Sequence, residues 1–193
     1  MTRGSDGRRT TGPRSTPALA ALTAADVPFV ARPYSHETGV SSYGLEAATA
    51  LGVAPERVFK TLMTSVDGTL VAAVVPVSGP LDLKALASAL GRRKAAMADP
   101  GAAERRTGYV LGGISPIGQR RASPVVVDRS ALDHATVFVS GGRRGLDIEL
   151  APADLIAVTH ALVAPIAALD NYVLPLWLIG LGVVLARYRA TDR

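Results

Sequence analysis

Residues 57–77 read RVFKTLMTSVDGTLVAAVVPV. Two runs rich in β-branched and aliphatic residues flank Asp-Gly, a pair that fits the left-handed positions of a tight hairpin turn. Any fold for this chain must contain that antiparallel pair. The flanks add the remaining constraint, because helix and strand signals alternate on both sides of it.

Before the hairpin, PALAALTAADV has helical spacing at Leu19 and Leu22, with Thr16 or Ser15 as cap. PFVARPY reads as a short strand, and SSYGLEAATALGV as a helix closed near Gly52. After it, DLKALASALG is a helix capped by Asp82, with Leu83, Leu86, Ala87 and Leu90 on one face and Gly91 at its end. DPGAAERRTG reads as a short helix, and PVVVD, ATVFVS and GLDIEL as strands. APADLIAVTHALVAPIA opens with proline at the first helical position and is expected to close the domain as one helix. The pattern predicts a single mixed α/β domain, its sheet mixed, partly antiparallel and barrel-like, with helices flanking it.

Three segments are expected. Residues 1–16 form a polar, Arg- and Gly-rich arm read as disordered, 17–167 form the domain, and 168–193 form an apolar extension. The extension contains 15 apolar residues from Tyr172 to Ala186. As a helix that run is about 22 Å long, short of a bilayer's hydrocarbon core of about 30 Å. A membrane contact there is the less favoured reading, and a cytoplasmic location is expected.

The net charge of +5 belongs mostly to the ends of the chain. Residues 17–167 hold 14 basic and 13 acidic side chains, so the domain is nearly neutral. Overall basicity is therefore no argument for nucleic acid. Local grouping remains: Arg92–Arg93, Arg105–Arg106, Arg120–Arg121 and Arg143–Arg144 are neighbours. They are either solvated turns and helix ends or a converging phosphate surface.

The absence of cysteine excludes a protein thiol nucleophile, disulfides and Cys-ligated zinc. His36, His134 and His160 are scattered and lack ligand spacing, so no metal and no cofactor is expected.

Lys60 is one of three lysines beside 18 arginines. On a strand it shares a face with Val58 and Leu62, either as an edge-strand lysine or as the cation of a pocket. Asp147 and Glu149 share a strand face, which is either a sheet's wet side or a site near Ser140. GGISPIG, 112–118, lacks nucleotide-loop spacing and is either a tight turn or a backbone nest. Tyr34, Tyr43 and Tyr109 are either core and rim residues or stacking platforms. Ser115 and Ser140 have no evident His-Asp partners.

Four stretches occur in a familiar order and spacing: VFKTLM, PVSGPLDLKALASALG, MADPGAAERRTGYVLGGISPIGQRR and VFVSGGRRGLDIEL. From about Pro17 to about Ala167 the chain resembles the YbaK/EbsC-type aminoacyl-tRNA deacylases, relatives of the editing domain of bacterial prolyl-tRNA synthetases. The resemblance implies trans-editing of Cys-tRNA(Pro), a hydrolase or lyase reaction at the aminoacyl ester. The substrate's own thiol would be the attacking group. It implies Lys60 as the essential lysine, with Tyr34, Gly112, its neighbour Gly113, Ser140 and Asp147 around the aminoacyl end. The implied partner is mischarged tRNA(Pro), with prolyl-tRNA synthetase as a second. Cleavage of Ala-tRNA(Pro) or other small aminoacyl-tRNAs, and a non-catalytic tRNA- or synthetase-binding module, remain alternatives. On this reading the glycines make room for the 3′ end of a charged tRNA.

Overall fold

The computed structural model describes residues 15–36 and 42–168. Most of the expected arm, and the extension including Tyr172 to Ala186, lie outside the described residues. Among the described residues, no helix is long and apolar enough to cross a membrane.

The order is α1 (Pro17–Ala24), β1 (Val30–Pro33), α2 (Tyr43–Leu51), β2 (Val58–Val66), β3 (Thr69–Pro76), α3 (Leu83–Ala89), β4 (Ala95–Met97), α4 (Pro100–Thr107), β5 (Val125–Asp128), β6 (Val137–Arg143), β7 (Leu146–Leu150), α5 (Pro152–Thr159) and β8 (Leu162–Ala164). The strands form one mixed sheet in the order β1-β7-β6-β2-β3-β5-β8, with β4 added beside β2. β2 with β6, β3 with β5 and β5 with β8 are parallel, and the remaining pairs are antiparallel.

Local chemistry sets the element ends. Asp67 and Gly68 both take positive φ at the β2–β3 turn. Thr16 Oγ1 accepts the Leu19 N–H at 3.3 Å and donates to the Gly141 carbonyl at 2.5 Å, so the cap of α1 also ties it to β6. Asp82 caps α3 and Asp99 caps α4. Gly52 and Gly108 close α2 and α4 in the left-handed conformation.

Strand alternation sends successive side chains to two different cores. Phe59, Val74, Val127, Val139 and Ile148 meet α1, α4 and α5 on one face. On the other, Val71, Val75 and Val126 meet Leu86 of α3, while Val58 and Phe138 meet Ala47 and Ala48 of α2. Both faces are covered, which is why VVVD and LVAAVVPV are continuous apolar runs rather than alternating ones.

Two expectations fail. The segment from Pro152 to Ala167 is not one helix: His160 takes φ 49°, α5 stops, and Leu162–Ala164 becomes a strand on β5. The free edge of β5 offers those residues a ladder that helix propensity cannot match. Asp128 secures the turn beyond, its Oδ2 accepting the Ile166 and Ala167 N–H groups at 2.7 Å each. Nor is β2 an edge strand, since β6 and β4 pair along its side away from β3, although neither reaches residues 60–63.

Candidate active site

The β6–β7 ladder sets Ser140 opposite Asp147, and the parallel β2–β6 pairing sets Phe59 opposite Val139. Lys60 and Ser140 therefore come one step later on neighbouring strands. Lys60, Ser140 and Asp147 form a row across β2, β6 and β7, on the face that carries Val58 and Phe138.

This row floors a cleft of about 510 Å³, which is also lined by Tyr34, Tyr43, Leu111 and Gly112. Of the residues expected at a site, Tyr34, Lys60, Gly112, Ser140 and Asp147 line this one cavity, and Gly113 does not. The Asp147–Glu149 face is not a wet one. Asp147 is 5% exposed and pushed up to about 7 by burial. Glu149, two residues on, is held by Arg32 at 2.6 Å and by Thr136 Oγ1 at 2.7 Å, and lies below the usual carboxylate range. Identical chemistry two residues apart thus gives one neutralised carboxylate and one carboxyl left to the cleft.

Lys60 is half-buried, and burial lowers its pKa. No carboxylate pairs with its ammonium among the described residues. Tyr34 is pushed up to about 12, by burial and by the charge of Asp147. Its backbone N–H reaches the Gly145 carbonyl at 3.0 Å, which fixes the end of β1 against the β6–β7 turn. The Ser140 hydroxyl accepts the Gly142 N–H at 3.3 Å, at the bulge where the β6–β7 register shifts.

The glycines of 112–118 are explained by the protein's own chain rather than by a ligand. A Cβ on Gly112, at φ +80°, would stand 2.7 Å from the Tyr43 ring, and one on Gly113 would stand 2.9 Å from the Arg143 backbone. One on Gly118 would meet the Pro17 carbonyl oxygen at 2.5 Å. Gly113 thus serves packing. Gly112 serves packing too, and it also lines the cleft.

Two rim features were not legible as a pair in the sequence. The Arg144 guanidinium lies 4.7 Å from the centre of the Tyr43 ring and donates to the Leu111 carbonyl at 2.8 Å. It clamps α2 to the glycine loop across about 100 residues of chain. Tyr109 is core, its hydroxyl donating to the Ile117 carbonyl at 2.8 Å. Of the arginine doublets, Arg105–Arg106 and Arg120–Arg121 come together at the end of α4, where the Arg121 N–H meets the Arg106 carbonyl at 3.1 Å. No group of three potential metal ligands occurs among the described residues.

The cleft has a cation, a buried carboxyl, hydroxyls and apolar walls, and Ser140 and Ser115 have no histidine beside them among the described contacts. A cation and hydrogen-bonding groups around one cavity can bind and polarise a small polar group.

The chain is 41% identical over 120 residues to an Enterococcus faecalis protein assigned as the Cys-tRNA(Pro)/Cys-tRNA(Cys) deacylase EbsC, covering 62% of this chain and 73% of that one. The crystal structure of hypothetical protein APE2540 matches with a TM-score of 0.72 at 26% identity, over 79% of this chain and all of that one. A protein described as a trans-editing enzyme for prolyl-tRNA synthetase shares the fold, with a TM-score of 0.68 at 24% identity over 79% of this chain and 95% of that chain. The model of the aminoacyl-tRNA editing domain matches residues 39–158, which takes in every strand from β2 to β7, and the chain belongs to that family.

Proposed function

We propose that the protein is a trans-editing deacylase that removes cysteine from mischarged Cys-tRNA(Pro). The observation that carries this reading is the row Lys60–Ser140–Asp147 inside a cleft sized for a small aminoacyl end. The likeness to the E. faecalis protein that carries a Cys-tRNA deacylase name supports the substrate class.

In the proposed reaction the substrate's cysteine sulfur attacks its own ester carbonyl. A carbon–sulfur bond forms, the bond to the ribose oxygen breaks, and the thiol proton ends on that ribose hydroxyl. A cyclic thioester leaves and water opens it. Lys60 is the cation that holds the carbonyl or phosphate oxygen as negative charge grows. Its lowered pKa reflects a partly desolvated ammonium, whose field is stronger than in water. Asp147 and Ser140 orient the aminoacyl end, and Tyr34 closes the wall beside Asp147.

The test is incubation of the protein with Cys-tRNA(Pro), Ala-tRNA(Pro) and Pro-tRNA(Pro), alongside Lys60→Ala. Release of cysteine alone, dependent on Lys60, is expected. Equal release of alanine would replace the thiol-assisted route by simple hydrolysis. No release from any of the three by a folded protein would leave a tRNA- or synthetase-binding module.

A further inference from the structure

β3 pairs with β2 along one edge from Phe59 to Val66. The other edge is interrupted. β6 reaches only Val58 and Phe59, and β4 takes over from Thr64. Residues 60–63 lie in the gap, and all four line the cleft. The Val77 N–H bonds to the Val58 carbonyl, so Val58, Lys60 and Leu62 turn their main-chain groups toward β3 and the alternate residues turn theirs away. Phe59 is matched by Val139, and the Met63 carbonyl accepts the Ala98 N–H at 3.0 Å. Thr61, between them, presents both its N–H and its carbonyl to the gap, with no described strand opposite.

The Thr61 side chain takes the face opposite to Lys60, that of Phe59 and Met63. There Phe59, Met63, Ala103 and Ile114 form part of a buried cluster, and they also line the cleft. In this apolar compartment Thr61 Oγ1 is buried without a hydrogen-bond partner among the described residues. Buried hydroxyls are almost always bonded, and this one, closed to water, meets a ligand group only as the compartment's side chains give way to it.

We propose that Thr61 is the seat of the aminoacyl group. The substrate pairs with it as a residue of an antiparallel strand would. Its α-ammonium donates to the Thr61 carbonyl, and its ester carbonyl oxygen accepts from the Thr61 N–H. An antiparallel hydrogen-bonded pair exchanges both bonds through one N–Cα–C=O unit, which is the skeleton of an aminoacyl ester. Opposed residues put their side chains on the same face. The substrate side chain therefore enters the apolar compartment, where Thr61 Oγ1 selects a small group ending in SH or OH over a methyl. This rests on the deacylase reading and names how that site distinguishes its substrates.

The probes are uncleavable amides of 3′-amino-3′-deoxyadenosine carrying seryl, alanyl or propionyl groups, with binding measured by calorimetry. The wild-type protein should bind the seryl amide about tenfold more tightly than the alanyl one. The propionyl amide, which lacks the α-amino group, should bind about tenfold or more weakly than alanyl. Thr61→Val should abolish the seryl preference with alanyl unchanged, and Thr61→Ser should restore it. The empty valine variant should be at least as stable as wild type, since a methyl replaces an unpaired hydroxyl. A seryl preference untouched by Thr61→Val, a propionyl amide that binds like alanyl, no binding of any amide, or a destabilised valine variant would each overturn the seat. The amides report binding without cleavage. The expected pattern without tRNA deacylation would count against the deacylase alone, and deacylation with the contrary pattern against the seat alone.

Discussion

Asp147 stands directly opposite Ser140 in the β6–β7 ladder, and it is 5% exposed, while Arg32, opposite it on β1, gives its guanidinium to Glu149. Folding therefore places a carboxyl where its charge is poorly solvated, and burial raises its pKa from 3.8 to about 7. Between these two values the native state keeps a proton that the unfolded chain has lost. The contribution of Asp147 to stability thus falls as pH rises from about 4 to about 7. Asp147→Asn should match wild type near pH 4 and be more stable by about 2–4 kcal/mol at pH 8. Urea unfolding at the two pH values checks this, and a difference independent of pH would refute it.

Lys60 has no ion-pair partner among the described residues, and burial disfavours its ammonium. Its removal should cost the fold nothing. Lys60→Met should melt at or above the wild-type temperature while kcat/KM for deacylation falls about 100-fold or more, the scale of losing one stabilising group in a dry site. A variant that is both inactive and unstable would assign Lys60 to the fold.

Gly112 combines φ +80° with a Tyr43 ring at 2.7 Å from where a Cβ would be. Gly112→Ala should destabilise by about 1–3 kcal/mol. Combining it with Tyr43→Ala should recover the steric part and leave the backbone part, giving a coupling of about 0.5–1 kcal/mol. Strict additivity in a denaturant-measured double-mutant cycle would show that the ring is not the obstacle.

Asp128 is buried, which by itself raises its pKa, but the Ser130 hydroxyl and the N–H groups of Ala167, Ser130 and Ile166 outweigh that and hold it below the ordinary 3.8. Its stabilisation is present above that value and is lost as pH falls below it. Asp128→Ala strips the partner from three backbone donors and should cost about 2–4 kcal/mol at pH 7. The loss should shrink in acid. A loss that stays constant from pH 7 to pH 3 would contradict the assignment.

The hairpin turn at Asp67–Gly68, the cap Asp82, the cap of α1 at Thr16 or Ser15, and the glycine stop at 52 were legible because each is decided within a few residues. The alternation that splits Lys60 from Thr61 was legible for the same reason. Three things were decided only by tertiary structure. The switch from α5 to β8 needed the free edge of β5, which no local propensity encodes. The fate of the acids needed the neighbours of the sheet: Arg32 and Arg57 reach Glu149, and among the described residues no cation pairs with Asp147. The open edge at Thr61 needed the staggered ends of β6 and β4, strands that lie about 80 and 30 residues away along the chain. Sequence by itself determined most of the elements and which residues carry charge. Packing between distant segments decided which of those residues face water, which face one another, and which are left facing a cavity, because desolvation and pairing depend on what the fold brings alongside.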